Sequence, residues 1–140
     1  MPTPDPVAVV TGGSGGIGAQ ICRSLAAADF TVIVGYRNSR ERAQALAAAL
    51  PREGHLALCA PVTDSEALRE MAAQVAKRYG RCDVLVNCAG TTRFVPHADI
   101  DALNDDLIDE ILATNVRGAF AALRALLSSF RVRLTRGSAA

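Results

Sequence analysis

The sequence predicts an α/β protein: a doubly wound parallel sheet with helices on both faces. Three observations carry that expectation. Short β-branched runs alternate with longer Ala- and Leu-rich stretches along the 140 residues. The runs are continuously apolar, as strands covered on both faces are, without the alternation of a half-solvated sheet. A glycine-rich turn joins the first run to the first helical stretch.

The elements follow in order. Val7 to Thr11 (VAVVT) reads as a buried first strand. Ile17, Ile21, Cys22 and Leu25 then recur at helical spacing. Thr31 to Gly35 (TVIVG) is the second buried strand, and Asn38 with Glu41 forms a capping box for a helix that runs to Leu50 and closes at Pro51. Leu56 to Cys59 is a weaker third strand. Thr63 and Glu66 offer another capping box, for a helix whose Leu68, Ala72, Val75 and Ala76 share a face and whose end near Tyr79 places Gly80 as C-cap. Asp83 to Asn87 (DVLVN) is the fourth strand, and a long helix is expected from about Asp105 to Phe130. The strand order expected of such βαβ units is 3-2-1-4. Acids fill Asp99 to Glu110 and only arginines follow, a polarity that suits the two ends of a helix dipole.

Composition excludes several functions. The chain is 50% apolar and 21% charged with a net charge of +1, which is globular and gives no global attraction to nucleic acid or to anionic membranes. Aromatics make up 4%, too few for a base-stacking platform. No apolar run has the roughly 18 residues of a membrane span, and Met1 to Pro6 carries no signal-peptide features. Cys22, Cys59, Cys82 and Cys88 form no C-x-x-C pair and read as buried free thiols in a reducing, cytoplasmic setting. His55 and His97 stand alone, so no zinc site is expected.

Three motifs carry chemistry. Thr11 to Gly18 (TGGSGGIG) lies between strand and helix, where glycines permit a tight turn and close approach of backbone N–H groups to a pyrophosphate. Gly13, Gly15 and Gly18 fit G-x-G-x-x-G; Gly12, Gly16 and Gly18 fit T-G-x-x-x-G-x-G. Asn87-Cys88-Ala89-Gly90 ends the fourth strand, where small residues leave room for a flat group at the sheet's carboxyl edge. Asn115 and Gly118 stand inside the long helix, where Gly costs about 1 kcal/mol and something other than helix propensity must explain it.

Together and in this order, these motifs resemble the short-chain dehydrogenase/reductase family over about Val7 to Phe130, although Cys88 stands where the family usually has a second Asn. Val34 to Ser39 (VGYRNS) looks most like the NADPH-dependent reductases of 3-oxoacyl thioesters. The resemblance implies a Rossmann-type dinucleotide-binding domain over residues 1–140, with Gly12, Ser14, Gly16, Ile17, Gly18, Val62, Asn87, Ala89 and Gly90 at the cofactor. It implies that Asn115 holds a proton-relay water by its main chain, that the substrate is a small molecule, and that the protein is a homo-oligomer. The residues add their own argument for NADP over NAD. No acid occurs between Phe30 and Arg40 to take a ribose 2′-hydroxyl, and Arg37 stands where a 2′-phosphate would be met.

Two departures matter. The family's adenine-contacting Asp is replaced by Pro61, and Asp64 is not its evident substitute. The family's Tyr-x-x-x-Lys is missing: Tyr36 and Tyr79 are followed four residues later by Arg40 and Asp83, and Lys77 is preceded by Ala73. Gly137 to Ala140 resembles the start of the catalytic-serine segment, with Ser138 its candidate, but Arg131 to Arg136 is no apolar strand. The expectation is an NADP-dependent carbonyl reductase sheet that is incomplete at its C-terminal side, truncated before the Tyr-x-x-x-Lys segment. The alternatives are a non-catalytic nucleotide-binding fragment and a truncated gene product.

Overall fold

The computed structural model describes residues 5–130. Its strands are β1 (Val7–Thr11), β2 (Thr31–Tyr36), β3 (Leu56–Cys59) and β4 (Val84–Asn87), all parallel, in the order β3-β2-β1-β4. Between them run α1 (Gly16–Ala27), α2 (Arg40–Ala49) and α3 (Ser65–Tyr79). The expected order and connectivity are those observed.

Side-chain alternation along β1 and β2 builds two cores. Val7, Val9 and Ile33 face α3 and the C-terminal helix, where Leu68, Met71, Val75, Ala122 and Leu126 close over them. Val10, Val32 and Val34 face α1 and α2, against Cys22, Ala26, Ala43 and Leu46. Every residue of β1 and β2 is therefore buried, as the unbroken apolar runs require. β3 and β4 lie at the sheet edges and are only half-buried.

Helix ends differ from the sequence reading by one residue. Ser39, not Asn38, is the N-cap of α2, and its side chain makes no cap bond. Asp64, not Thr63, caps α3 by accepting from the N–H groups of Glu66 and Ala67 at 3.0 and 3.1 Å. A carboxylate beside the positive helix end outcompetes a neutral hydroxyl one position earlier. Gly80 closes α3 in the left-handed conformation, φ 68°, as expected.

The long helical path is not one α-helix. It comprises α4 (Asp105–Leu112), a π-helical turn (Ala113–Gly118), α5 (Ala119–Leu126) and a 3₁₀ turn (Leu127–Ser129). Asn104 caps α4 through the N–H of Leu107 at 3.0 Å, with Asp105 and Asp106 in the first turn. Arg117 and Arg124 stand in the last turns of the π-helical segment and of α5, where the dipole favours bases. They reach the Thr63 carbonyl at 3.5 Å and Ser65 Oγ at 3.4 Å, tying this path to the start of α3. Beyond it, Phe130 forms a parallel bridge with Cys82, and the Cys82 N–H donates to the Ser129 carbonyl at 3.0 Å. The chain thus re-enters beside the start of β4. Arg131 to Arg136 and Ser138 lie outside the described residues.

All four thiols are free, but burial corrects the reading for two. Cys22 and Cys82 are buried, whereas Cys59 ends an edge strand and is exposed, and Cys88 is half-buried. His55 is structural: its Nδ1 accepts from the Val32 N–H at 2.9 Å, which leaves Nε2 to donate to the Pro51 carbonyl at 2.8 Å.

Candidate functional site

The site lies at the carboxyl ends of β1 and β4, where the strand order reverses and an open α/β sheet leaves a crevice. Thr11 is the polar residue of an otherwise apolar buried strand. Its Oγ1 accepts from the N–H groups of Cys88 and Ala89, both at 3.2 Å, and so fixes the loop after β4 against the glycine turn. Gly12 then turns the chain with φ +60°, and a Cβ there would stand 2.8 Å from the Ala89 Cα. The Gly13 N–H donates to the Gly35 carbonyl at 2.8 Å and locks the turn to β2. A Cβ on Gly18 would collide with the Gly12 carbonyl. α1 consequently begins tight against the turn, with no side-chain cap and no acid in its first turn, so its leading N–H groups remain open.

Between the glycine turn, the end of β2 and the loop after β4 is a cleft of about 380 Å³. It brings together Gly12, Ser14, Arg37, Val62, Ala89 and Gly90 of the residues singled out in the sequence. Gly16 and Ile17 lie outside its walls; Gly16 opens to free space, and Ile17 is 75% exposed. Asn87 is turned to the helical layer, where its Nδ2 donates to the Ala119 carbonyl at 3.3 Å. Sequence reasoning missed Thr11 as the clamp, and missed Tyr36, Ser39 and Thr114 in the wall. A lone Thr inside a fully apolar strand was the available signal for the first of these.

Asn115 sits behind the cleft in the π-helical turn. Its Oδ1 accepts from the Thr91 N–H at 2.8 Å and its Nδ2 donates to the Thr91 carbonyl at 2.9 Å, so one amide satisfies both backbone groups of a loop residue. Gly118 closes the same turn against Val62, whose Cγ2 would lie 2.6 Å from a Cβ at that position. These two contacts explain two residues that helix propensity disfavours. π-helical turns inside helices often accompany functional sites.

Electrostatically the cleft is simple. Arg37 is the charged side chain among its described walls. Asp64 is spent on the α3 N-terminus. Beneath the turn, burial and, secondarily, nearby Cys88 push the Cys22 thiol up to about 11, so Cys22 is no nucleophile at neutral pH. Tyr79 is remote in function: its hydroxyl donates to the Gly54 carbonyl at 2.6 Å, and burial raises its pKa.

The sequence profile of the short chain dehydrogenases matches residues 6–139. The chain belongs to the short chain dehydrogenase family. It is 43% identical over 115 residues to a Streptomyces violaceoruber protein named as ketoacyl reductase 2 of the granaticin polyketide synthase, covering 82% of this chain and 45% of that one. Identity to the 3-oxoacyl-(acyl-carrier-protein) reductase FabG of Staphylococcus aureus is 35% over 115 residues, 81% of this chain and 46% of the reductase. A short chain dehydrogenase from Burkholderia cenocepacia J2315, solved in complex with NADP, superposes with a TM-score of 0.80 at 41% identity, over 89% of this chain and 51% of that one. The chain therefore spans about half the length of the short chain dehydrogenases it matches. No helix among the described residues is long and apolar enough to cross a membrane.

Proposed function

We propose that the chain binds NADP in this cleft and supplies the dinucleotide-binding part of a reductase acting on a carbonyl of the 3-oxoacyl or small-ketone class. The observation that carries this reading is the charge of the cleft: a guanidinium, Arg37, at the end of β2 with no acid among the described walls. A 2′-phosphate gains a charge-assisted partner there, while a 2′-hydroxyl lacks the carboxylate that usually holds it. Backbone packed where Gly12 and Gly18 would carry a Cβ holds the turn tight, and α1 starts with no side-chain cap and no acid in its first turn, which suits a pyrophosphate.

In this reading, the open N–H groups of the turn, with the Ser14 hydroxyl and Ile17, take the pyrophosphate, while the Gly13 N–H stays on the Gly35 carbonyl. Val62 lies at the adenine, and Ala89 and Gly90, with Asn87 behind them, leave room for a flat ring. Bound in its reduced form, NADPH, the cofactor would supply a hydride to the carbonyl carbon. Asn115 holds the Thr91 loop and, by the family resemblance, keeps a main-chain carbonyl free for a relay water. The resemblance also implies a homo-oligomer. A second reading, nucleotide binding without turnover, is favoured by the two tyrosines: Tyr36 has Arg40 and not a lysine four residues on, and Tyr79 is bound to Gly54.

Titrating NADP and NAD against the purified chain, followed by a ketone-reduction assay, tests both readings. NADP is expected to bind about ten- to a hundredfold tighter than NAD, the worth of one charge-assisted contact. Arg37→Asp should reverse that preference. Equal affinities would remove NADP from the reading, and turnover by the 140-residue chain would remove the second reading.

A further inference from the structure

We infer that Arg42, on the first turn of α2, is a second specificity-determining guanidinium that works with Arg37 on the anionic group of the adenosine ribose. The inference rests on the NADP reading above and assigns it a residue that no sequence motif marks. Its starting point is Gly15. A Cβ on Gly15 would stand 3.3 Å from Arg42 Nη1, so this guanidinium lies against the flank of the glycine turn, where a side chain at position 15 would crowd it.

The surroundings of Arg42 place it beside the cleft. It lines a depression between α1 and α2 that shares Ser14 and Gly15 with the cleft wall. It also lines a depression over the start of α2 that shares Asn38 and Ser39 with the same wall. Arg42 therefore stands where the glycine turn and the β2–α2 loop converge, the two segments that flank Arg37.

Among the described residues, Arg52, Arg69, Arg81 and Arg93 face carboxylates, Arg117 and Arg124 bond to oxygens near the start of α3, and Arg78 lies over the Tyr79 ring. Arg23 and Arg40 lack an ion pair as Arg37 and Arg42 do, but Arg23 lines only the first of the two depressions and Arg40 only the second, whereas Arg42 lines both. Arg42 makes no hydrogen bond or ion pair among the described residues, and neither does Arg37; the nearest acid in these depressions is its sequence neighbour Glu41. Ser39 adds a hydroxyl that its helix does not use as a cap. Two unpaired guanidiniums and a free hydroxyl suit a dianionic phosphate, and they offer nothing particular to a neutral hydroxyl.

The test is equilibrium binding of NADP and NAD to the 140-residue chain and to Arg42→Ala, Arg42→Lys, Arg40→Ala and Arg37→Ala, read by calorimetry with no turnover required. Arg42→Ala should weaken NADP about tenfold and leave NAD within about twofold, Arg42→Lys should lose less, and Arg40→Ala should lose much less than Arg42→Ala. Thermal melts should nearly coincide, since Arg42 makes no hydrogen bond or ion pair within the described fold and only packs beside Gly15. An unchanged NADP-to-NAD ratio in Arg42→Ala, beside a changed one in Arg37→Ala, overturns the role of Arg42 and leaves the NADP reading standing. An equal loss in Arg40→Ala also overturns it, because net charge and not placement would then account for the effect. Failure of the unsubstituted chain to bind either dinucleotide overturns both.

Discussion

The two halves of the sheet leave opposite things unfinished. In the half built from β1, α1, β2 and α2, every strand residue is buried, yet neither helix has a side-chain cap: Gly15 has none to give and Ser39 gives none. In the half built from α3, β4, α4 and α5, Asp64 caps α3, Asn104 caps α4 and α5 continues from the π-helical turn, while β4 is half-buried. There the helical path shows solvent a stripe of Ile108, Leu112, Val116, Phe120, Leu123 and Leu127. The first half completes its apolar packing internally and keeps polar backbone open, as a site for an anionic ligand must. The second satisfies its backbone and keeps apolar surface open, as a surface for protein contact does.

The largest expected effect compares two faces of one helix. Ala122 is fully buried against α3 and the sheet, and Phe120, two residues earlier, is 61% exposed. Ala122→Glu should unfold the chain, since an unpaired buried carboxylate costs at least several kcal/mol. Phe120→Glu should change stability by no more than about 0.5 kcal/mol and should reduce self-association in sedimentation velocity, in line with the homo-oligomer that the family resemblance implies. Unchanged association in Phe120→Glu would mean that the stripe is not the contact surface.

A smaller effect separates the strands. Ile33 in β2 is fully buried and Leu85 in β4 only partly. Ile33→Ala should cost about 3–5 kcal/mol in urea unfolding and Leu85→Ala about 1–2, because the edge position has less contact to lose. Equal losses would show that β4 is as enclosed as its sequence suggests.

That last point marks what the residues could and could not disclose. Topology was legible because VAVVT and TVIVG are apolar at every step, which only two covered faces explain. Asn115 and Gly118 were legible as anomalies, though not as a π-helical turn gripping Thr91 and Val62, since those contacts span distant parts of the chain. VLVN in β4 looks like TVIV in β2, but burial depends on neighbours that a strand's own sequence does not name. Cap positions slipped by one residue where Thr63, Asp64 and Ser65 are all competent caps. Arg42 was illegible because its place beside Gly15 comes from the packing of α2 on the glycine turn, segments far apart in sequence.

The alkaline limb of stability tests one thiol from each half. Burial first of all pushes Cys22 and Cys82 up to about 11 from an ordinary 9.0. Above pH 9 an unfolded chain releases these protons while the folded chain keeps them until about pH 11. Their contribution is thus fully present below pH 9 and is lost as pH rises toward 11, by roughly 1–3 kcal/mol per thiol. Melting temperature should fall between pH 8 and pH 10.5, and Cys22→Ala and Cys82→Ala should each flatten the slope whatever they do to the baseline. A slope unchanged in both variants would locate the titration elsewhere.

The smallest effect goes to the helix ends themselves. Asp64 satisfies two N–H groups of α3, so Asp64→Ala should lower stability by about 1 kcal/mol, within the usual range for a lost N-cap. Ser39 occupies the same position on α2 but bonds to none of its N–H groups, so Ser39→Ala should cost no more than a few tenths. Adding NADP should sharpen the contrast. A ligand that engages the open end of α2 makes Ser39→Ala weaken NADP binding, whereas Asp64→Ala, a loss confined to folding, leaves affinity for the folded chain unchanged. If Ser39→Ala instead destabilises the ligand-free chain as much as Asp64→Ala does, then α2 is capped in solution, and the open helix ends that distinguish the first half of the sheet are reduced to that of α1.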